Sequence, residues 1–158
     1  MREFAYIGRD TPSKGLPYLI DIFNQLHLRD IRLHVFSDYN LATTPNIICH
    51  GWVPSEEIWN IEFHYIILPM LAPETYCFSL HDAVKHNKGV IVNRSNASLC
   101  SQISEGAYTY ETKNSLYNIV KELSKENNEI IIPKLVNKAT LWKKLYGDNN
   151  LTNLYNII

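Results

Sequence analysis

The stretch Phe63-His64-Tyr65-Ile66-Ile67-Leu68-Pro69 is nearly continuous in apolar residues. A strand that reads this way is buried on both faces, as a central strand of a parallel sheet is. Downstream, Cys77 to His86 reads as a helix and Gly89-Val90-Ile91-Val92 as the next strand. Upstream, Phe4-Ala5-Tyr6-Ile7 is a short apolar run that ends at Gly8, a strand followed by a turn-rich loop over residues 9–15. Leu16, Leu19, Ile20, Phe23 and Leu26 then recur at three- and four-residue steps, which is one face of an amphipathic helix. Ile31 to Phe36 is a second strand, closed by Ser37-Asp38-Tyr39-Asn40, and Asn46 to His50 a third that runs into Gly51-Trp52-Val53-Pro54. Ser55 reads as an N-cap, with Glu56 and Glu57 in the first turn where the helix dipole favours them. Ala107 to Tyr110 gives a last short strand, and Leu116, Ile119, Val120 and Leu123 repeat the helical period. Ile130 to Ile158 reads as helical with a break near Gly147-Asp148, a C-terminal helical tail from about residue 134. Strands alternating with helices predict a doubly wound parallel α/β sheet, Rossmann-like, whose ligands lie outside the carboxyl ends of the strands.

The chain has 158 residues, enough for one domain with a core of its own and too few for two. A 46% share of hydrophobic residues and a 20% share of charged ones describe a globular chain. With 15 basic and 16 acidic residues the net charge is -1, which excludes a polyanion-binding surface and leaves room for a small anionic ligand. Cys49, Cys77 and Cys100 form neither a metal-type spacing nor an even disulfide framework, so reduced thiols are expected. His81 lies four residues after Cys77 and Cys49 adjoins His50, but neither pair brings further ligands, and no zinc is expected. The longest apolar run, Tyr65 to Ala72, is far short of the roughly 20 residues that span a bilayer. Asn93-Arg94-Ser95, Asn96-Ala97-Ser98 and Asn150-Leu151-Thr152 fit the glycosylation pattern and are read as chance matches in an Asn-rich chain. Trp52, Trp59 and Trp142 read as packing anchors, and Lys143-Lys144 as a solvated helix face.

Two segments have the residues for chemistry. In the loop after the first strand, Gly8 and Gly15 allow tight backbone geometry while Arg9 and Lys14 put cations where a helix begins. Amides, a dipole end and two cations suit a phosphate; the same residues also make an ordinary strand-to-helix turn with solvated side chains. A Walker A loop would need Gly at Ser13 and Ser or Thr at Gly15, so a P-loop NTPase is disfavoured. The second segment is Pro73-Glu74-Thr75-Tyr76-Cys77-Phe78, with Asp82 eight residues after Glu74. Carboxylates there can accept from sugar or ribose hydroxyls, and amides over 75–78 can meet a diphosphate; alternatively both acids simply favour the N-terminal half of a helix.

Gly8-Arg9, Lys14-Gly15 and Pro73-Glu74 with an acid eight positions on together resemble the retaining glycosyltransferases of family 4, which have the GT-B fold of two Rossmann-like domains. The resemblance continues through His50-Gly51-Trp52-Val53-Pro54-Ser55-Glu56-Glu57 and Tyr65-Ile66-Ile67-Leu68-Pro69, with weaker echoes at Ala83, Val90-Ile91-Val92 and Ser104-Glu105-Gly106. It implies that the chain, as one domain over residues 1–158, is the nucleotide-sugar-binding C-terminal half of such an enzyme. By that resemblance Arg9 and Lys14 bind the donor diphosphate, Glu74 the sugar and Asp82 the ribose, with Gly8 in the phosphate loop. The backbone amides of Thr75, Tyr76, Cys77 and Phe78 would face the diphosphate, and the turn of Gly51, Trp52 and Val53 the base. Arg9, Lys14 and Glu74 are the expected catalytic residues.

The implied reaction moves a hexose-type sugar from a UDP- or GDP-sugar to an acceptor hydroxyl, as in polysaccharide biosynthesis, with no essential metal or other cofactor. An acceptor-binding N-terminal GT-B domain is the implied partner. The chain is expected to be a domain of a longer protein and inactive alone, cytoplasmic, with the full-length protein at the inner membrane face. The family's Gly-Phe-Gly after the first acid is here Thr75-Tyr76-Cys77, its second Glu is Asp82, and its Gly and Pro after the helix are Asn87 and Gly89. These departures keep open a non-catalytic sugar-nucleotide-binding or interaction module, as the shared architecture keeps open half of a GT-B sugar-nucleotide epimerase or hydrolase.

Overall fold

A computed structural model of the chain describes residues 1–38, 42–103, 107–131, 133–135, 138 and 140. In chain order its elements are β1 (Arg2–Ile7), a 3-10 turn (Pro12–Lys14), α1 (Leu16–Gln25), β2 (Ile31–Phe36), β3 (Ile47–Gly51), α2 (Ser55–Ile58), β4 (Tyr65–Leu68), α3 (Phe78–Lys85), β5 (Gly89–Asn93), α4 (Ala97–Ile103), β6 (Tyr108–Tyr110) and α5 (Lys113–Lys125). The six strands form one sheet in the order β3-β2-β1-β4-β5-β6, and every pair is parallel. The fold is therefore the doubly wound, Rossmann-like α/β sheet that the sequence predicts.

Side-chain alternation along the central strands divides the core in two. Phe4, Tyr6, Tyr65, Ile67 and Ile91 point to one face, where Leu16, Leu19 and Phe23 of α1 and Leu116, Val120 and Leu123 of α5 cover them. Ala5, Ile66, Leu68, Val90 and Val92 point to the other, under Ile58 of α2, Leu80, Ala83 and Val84 of α3 and Leu99 and Ile103 of α4. All four residues of β4 are buried, as its unbroken apolar run requires. The chain winds one way from β1 and the other way from β4, so the two helix layers part between these strands.

Several boundaries differ from the sequence reading. Ser55 is the first residue of α2 and Pro54 its cap, with no side-chain hydrogen bond, so Ser55 is not an N-cap. α4 had no periodicity to announce it, because seven residues with two buried side chains give less than two turns of pattern. The described part of the β2–β3 connection has no helix. Trp59 packs as expected, tilted on Phe63 and stacked at 4.8 Å on His86, whereas Trp52 is 78% exposed and anchors nothing. In the tail, residues 128–131, 133–135, 138 and 140 are helical, with Ile131 and Leu135 in the core. Trp142, Lys143-Lys144, the break at Gly147-Asp148, Asn150-Leu151-Thr152 and Ser104-Glu105-Gly106 lie outside the described residues. No helix among the described residues is long and apolar enough to cross a membrane.

The two acceptor-like sequences that are described have other tasks. Asn93 and Asn96 are both buried, and the Asn96 side-chain amide donates to the carbonyls of Met70 (3.0 Å) and Ala72 (3.1 Å). An asparagine so engaged has no exposed nitrogen for a glycan.

Candidate functional site

The loops that follow β1 and β4 meet at the point where the sheet reverses its winding. Gly15 closes the first loop with φ +76, and a Cβ built on it would lie 2.8 Å from the carbonyl oxygen of Pro69. Only glycine fits both the left-handed backbone and that approach. This contact carries the loop, and Lys14 with it, against the exit of β4. Lys14 Nζ forms an ion pair with a carboxylate oxygen of Glu74, both side chains half-buried.

Around this pair lies a cleft of about 560 Å³, walled by Ile7, Gly8, Arg9, Lys14, Met70 and the run from Pro73 to Ser79. The structure thus brings Gly8, Arg9, Lys14, Glu74, Thr75, Tyr76, Cys77 and Phe78 to one surface, although the two groups are some 60 residues apart in sequence. Asp82, on α3, is not among the wall residues, and neither are Gly51, Trp52 and Val53. The 51–53 turn stands at the same carboxyl edge of the sheet, two strands from β1, with Gly51 at φ +71 and its carbonyl accepting from the Ser37 amide at 3.1 Å.

The first loop is held by residues the sequence did not single out. The Tyr6 hydroxyl donates to the Arg9 carbonyl at 2.9 Å, and the Asp10 amide donates to Asp38 Oδ1 at 3.0 Å. That amide, before all else, holds the Asp38 carboxyl below its usual range, while burial pushes the Tyr6 hydroxyl well above its own. A neutral tyrosine and an ionised aspartate are the forms these hydrogen bonds need. The signal in sequence was weak, since Tyr6 reads as one more apolar strand residue and Asp38 as one of several turn residues.

The second loop needs no glycine where Thr75-Tyr76-Cys77 stands. Asn87 is the one non-glycine residue with positive φ among the described residues, so this run follows a path open to any side chain. Tyr76 stacks on His81 at 4.1 Å and meets the Phe78 ring edge-on at 4.8 Å, and Phe78 is 74% exposed at the lip of the cleft. Burial lowers the His81 pKa against the opposing pull of Gln102 and Asp82. Burial likewise pushes the Cys77 thiol up, although its sulfur faces the amides of Leu80 and Ser79 and the charge of Lys14. Cys77 caps α3 through its extended backbone, with no side-chain capping hydrogen bond, and burial disfavours the thiolate that a nucleophile needs. The Cys77 amide is occupied by Gln102 Oε1 at 2.9 Å, so of the four amides the resemblance assigns to a diphosphate, this one is used within the fold.

The arrangement offers two cations and one carboxylate at the switch point of a parallel sheet, beside a helix N-terminus. It can hold an anion between the Arg9–Lys14 loop and α3 and accept a hydroxyl at Glu74.

No family model and no curated protein sequence matches the chain. Its fold is similar to solved structures at low identity. HepE from Anabaena, crystallised in complex with UDP, shares it at TM-score 0.75 and 11% identity over 99% of this chain and 49% of that one. Sucrose-phosphate synthase from Thermosynechococcus elongatus shares it at TM-score 0.74 and 13% identity over 98% and 45% of the two chains. The C-terminal domain of a glycosyl transferase group 1 family protein, LpcC from Francisella tularensis, does so at TM-score 0.70 and 14% identity over 91% and 85%. What these likenesses share with the chain is the Rossmann-like α/β fold, and the chain spans about half the length of HepE and of sucrose-phosphate synthase.

Proposed function

We propose that the chain binds a nucleotide-sugar, UDP- or GDP-linked, as the donor half of a retaining glycosyltransferase of the family 4 kind. The observation that carries this reading is the meeting of Lys14 and Glu74, from two loops, in one cleft at the switch point. A nucleotide-sugar is an anion joined to a polyol, and the cleft pairs cations with a carboxylate in the same way. HepE has also been solved with UDP-glucose, which supports the choice of ligand.

In this reading Arg9 and Lys14 take the diphosphate and stabilise its charge as the sugar departs to an acceptor hydroxyl. Glu74 accepts from the sugar hydroxyls, and the amides of Thr75 and Phe78, which have no hydrogen-bond partner among the described residues, add donors at the α3 end. The ribose role of Asp82 and the base-side role of Gly51, Trp52 and Val53 belong to the same proposal, as do a hexose-type sugar and the absence of an essential metal. An acceptor-binding domain in the same or a partner chain would complete the enzyme, in the cytoplasm or at the inner membrane face.

Calorimetric titration with UDP, GDP and their glucose conjugates tests this directly. Binding of at least one is expected, and Lys14→Ala or Arg9→Ala should weaken it by at least about tenfold, as the loss of a hydrogen bond to a charged group does. No binding of any of them by the folded protein would overturn the reading.

A second reading, a module that keeps the ligand and has lost transfer, is favoured by the position of Asp82 outside the cleft wall and by the Cys77 amide held within the fold. It expects binding without transfer even when a complete acceptor domain is supplied.

A further inference from the structure

The backbone of the loop after β4 is held by side chains of one short stretch, from Asn96 just before α4 to Gln102 in its last turn. Asn96 Nδ2 ties the carbonyls of Met70 and Ala72 at 3.0 and 3.1 Å. Asn96 Oδ1 accepts from the Ser98 hydroxyl at 2.7 Å, and that hydroxyl accepts in turn from the Glu74 amide at 2.9 Å. Gln102 completes the hold. Its Nε2 donates to the carbonyls of Glu74 and Ser98, both at 3.0 Å, while its Oε1 accepts from the Cys77 amide at 2.9 Å and faces His81 Nε2 at 3.3 Å.

The orientation of the Gln102 amide follows from these partners. Turning it over would set oxygen against two carbonyls and NH2 against an amide, so one arrangement alone satisfies the group. The result is specific to Glu74, whose backbone N–H and C=O are both bound by α4 side chains. With its main chain held on both sides, its carboxylate is left to meet Lys14 across the cleft. A glutamine fixed at every torsion gives up much rotamer freedom, which several simultaneous hydrogen bonds offset.

We infer that Gln102 is a positioning residue for the cleft: it sets where the Glu74 carboxylate stands relative to Lys14 and withholds the Cys77 amide from the bound anion. This rests on the nucleotide-sugar reading of the cleft. It assigns Gln102 to sugar discrimination, since Glu74 is the sugar-facing group, while the attraction of the diphosphate remains with Arg9 and Lys14.

The test compares wild type, Gln102→Leu and Gln102→Glu in the whole chain. UDP and UDP-glucose are titrated calorimetrically, and amide hydrogen exchange is followed at Glu74, Cys77 and the β4 and β5 strands. Gln102→Leu should bind UDP within about threefold of wild type yet lose about tenfold in affinity for UDP-glucose relative to UDP, the scale of one to two hydrogen bonds. Its Cys77 amide should exchange faster while the strand amides stay protected. Gln102→Glu keeps an acceptor for the Cys77 amide and replaces the donor to Glu74. It should restore Cys77 protection and recover only part of the sugar preference. A Gln102→Leu protein with the wild-type preference, or one that loses UDP and UDP-glucose in parallel with strand protection, overturns the positioning role. Wild type that binds neither nucleotide overturns the nucleotide-sugar reading and the discrimination role with it; Cys77 exchange then decides the clamp, which unchanged exchange in Gln102→Leu would sink.

Discussion

At the scale of single residues, the Lys14–Glu74 pair shows how the cleft stores its own counter-charge. In the absence of ligand each partner neutralises the other, half-buried at the edge of the cleft. On the proposed nucleotide-sugar reading, a diphosphate arriving there would share Lys14 with a carboxylate that repels it. Glu74→Gln removes that repulsion and keeps the shape, so UDP should bind somewhat more tightly. About threefold is expected, because an ion pair this accessible is worth under about 1 kcal/mol. The same variant should lose the extra affinity for UDP-glucose over UDP, because a neutral amide is a weaker acceptor for sugar hydroxyls than a carboxylate. Equal effects on the two ligands in calorimetry would remove Glu74 from the sugar side.

At the scale of elements, the end of α3 explains how the chain manages without the glycine its resemblance leads one to expect. The Lys88 amide bonds to the Ala83 carbonyl at 2.8 Å and the Asn87 amide to Val84 at 3.0 Å, the paired pattern of a Schellman stop. That motif needs a left-handed residue, and Asn87 supplies it at φ 58. Asparagine is among the few side chains that tolerate this conformation, so Asn87→Gly should leave stability nearly unchanged. Asn87→Val should cost about 1–2 kcal/mol, read as a lower urea midpoint with an unchanged slope. Two residues on, Gly89 has no such freedom of replacement, because a Cβ there would fall 2.3 Å from the Tyr65 ring. α5 is closed at its other end by a capping box, in which Thr112 accepts from the Ser115 amide at 3.1 Å and Ser115 from the Thr112 amide at 2.9 Å.

At the scale of the whole molecule, the pH response should come from histidines partly or wholly buried in the fold. Burial lowers the pKa of His50, His64 and His81, with the neighbouring charge of His34 adding to it at His50 and that of Arg2 at His64. Each is thus held neutral in the folded chain and binds a proton more readily when unfolded. Stability contributed in this way is complete above the ordinary value of 6.5 and is lost as pH falls below it toward the lowered values. The thermal midpoint should therefore drop between pH 7 and pH 5, and by less in a protein with these histidines replaced by glutamine. A midpoint that holds steady or rises over that interval would contradict the burial argument. On the same sheet His50 Nε2 lies 2.8 Å from His34 Nδ1, and His34 Nε2 meets a Glu3 carboxylate oxygen, so the imidazole of His50 sits in a chain of polar partners.

The sequence by itself determined the architecture and the two loops that matter. Unbroken apolar runs such as 65–68 have one comfortable place, the middle of a parallel sheet, and parallel strands oblige the chain to cross back through helices. Gly15 was legible as a special backbone position, and Arg9, Lys14 and Glu74 as charges placed beside strand ends. Only the tertiary structure decided that Lys14 reaches Glu74, that Asp82 stands off the cleft wall, and that Asn96, Ser98 and Gln102 grip the loop from another element. The reason is physical: periodicity records which side of an element is buried, since burial acts on every residue of that side alike. A hydrogen bond between Gln102 and a residue 28 positions earlier leaves no period behind, because it depends on how two loops are brought together by the sheet beneath them.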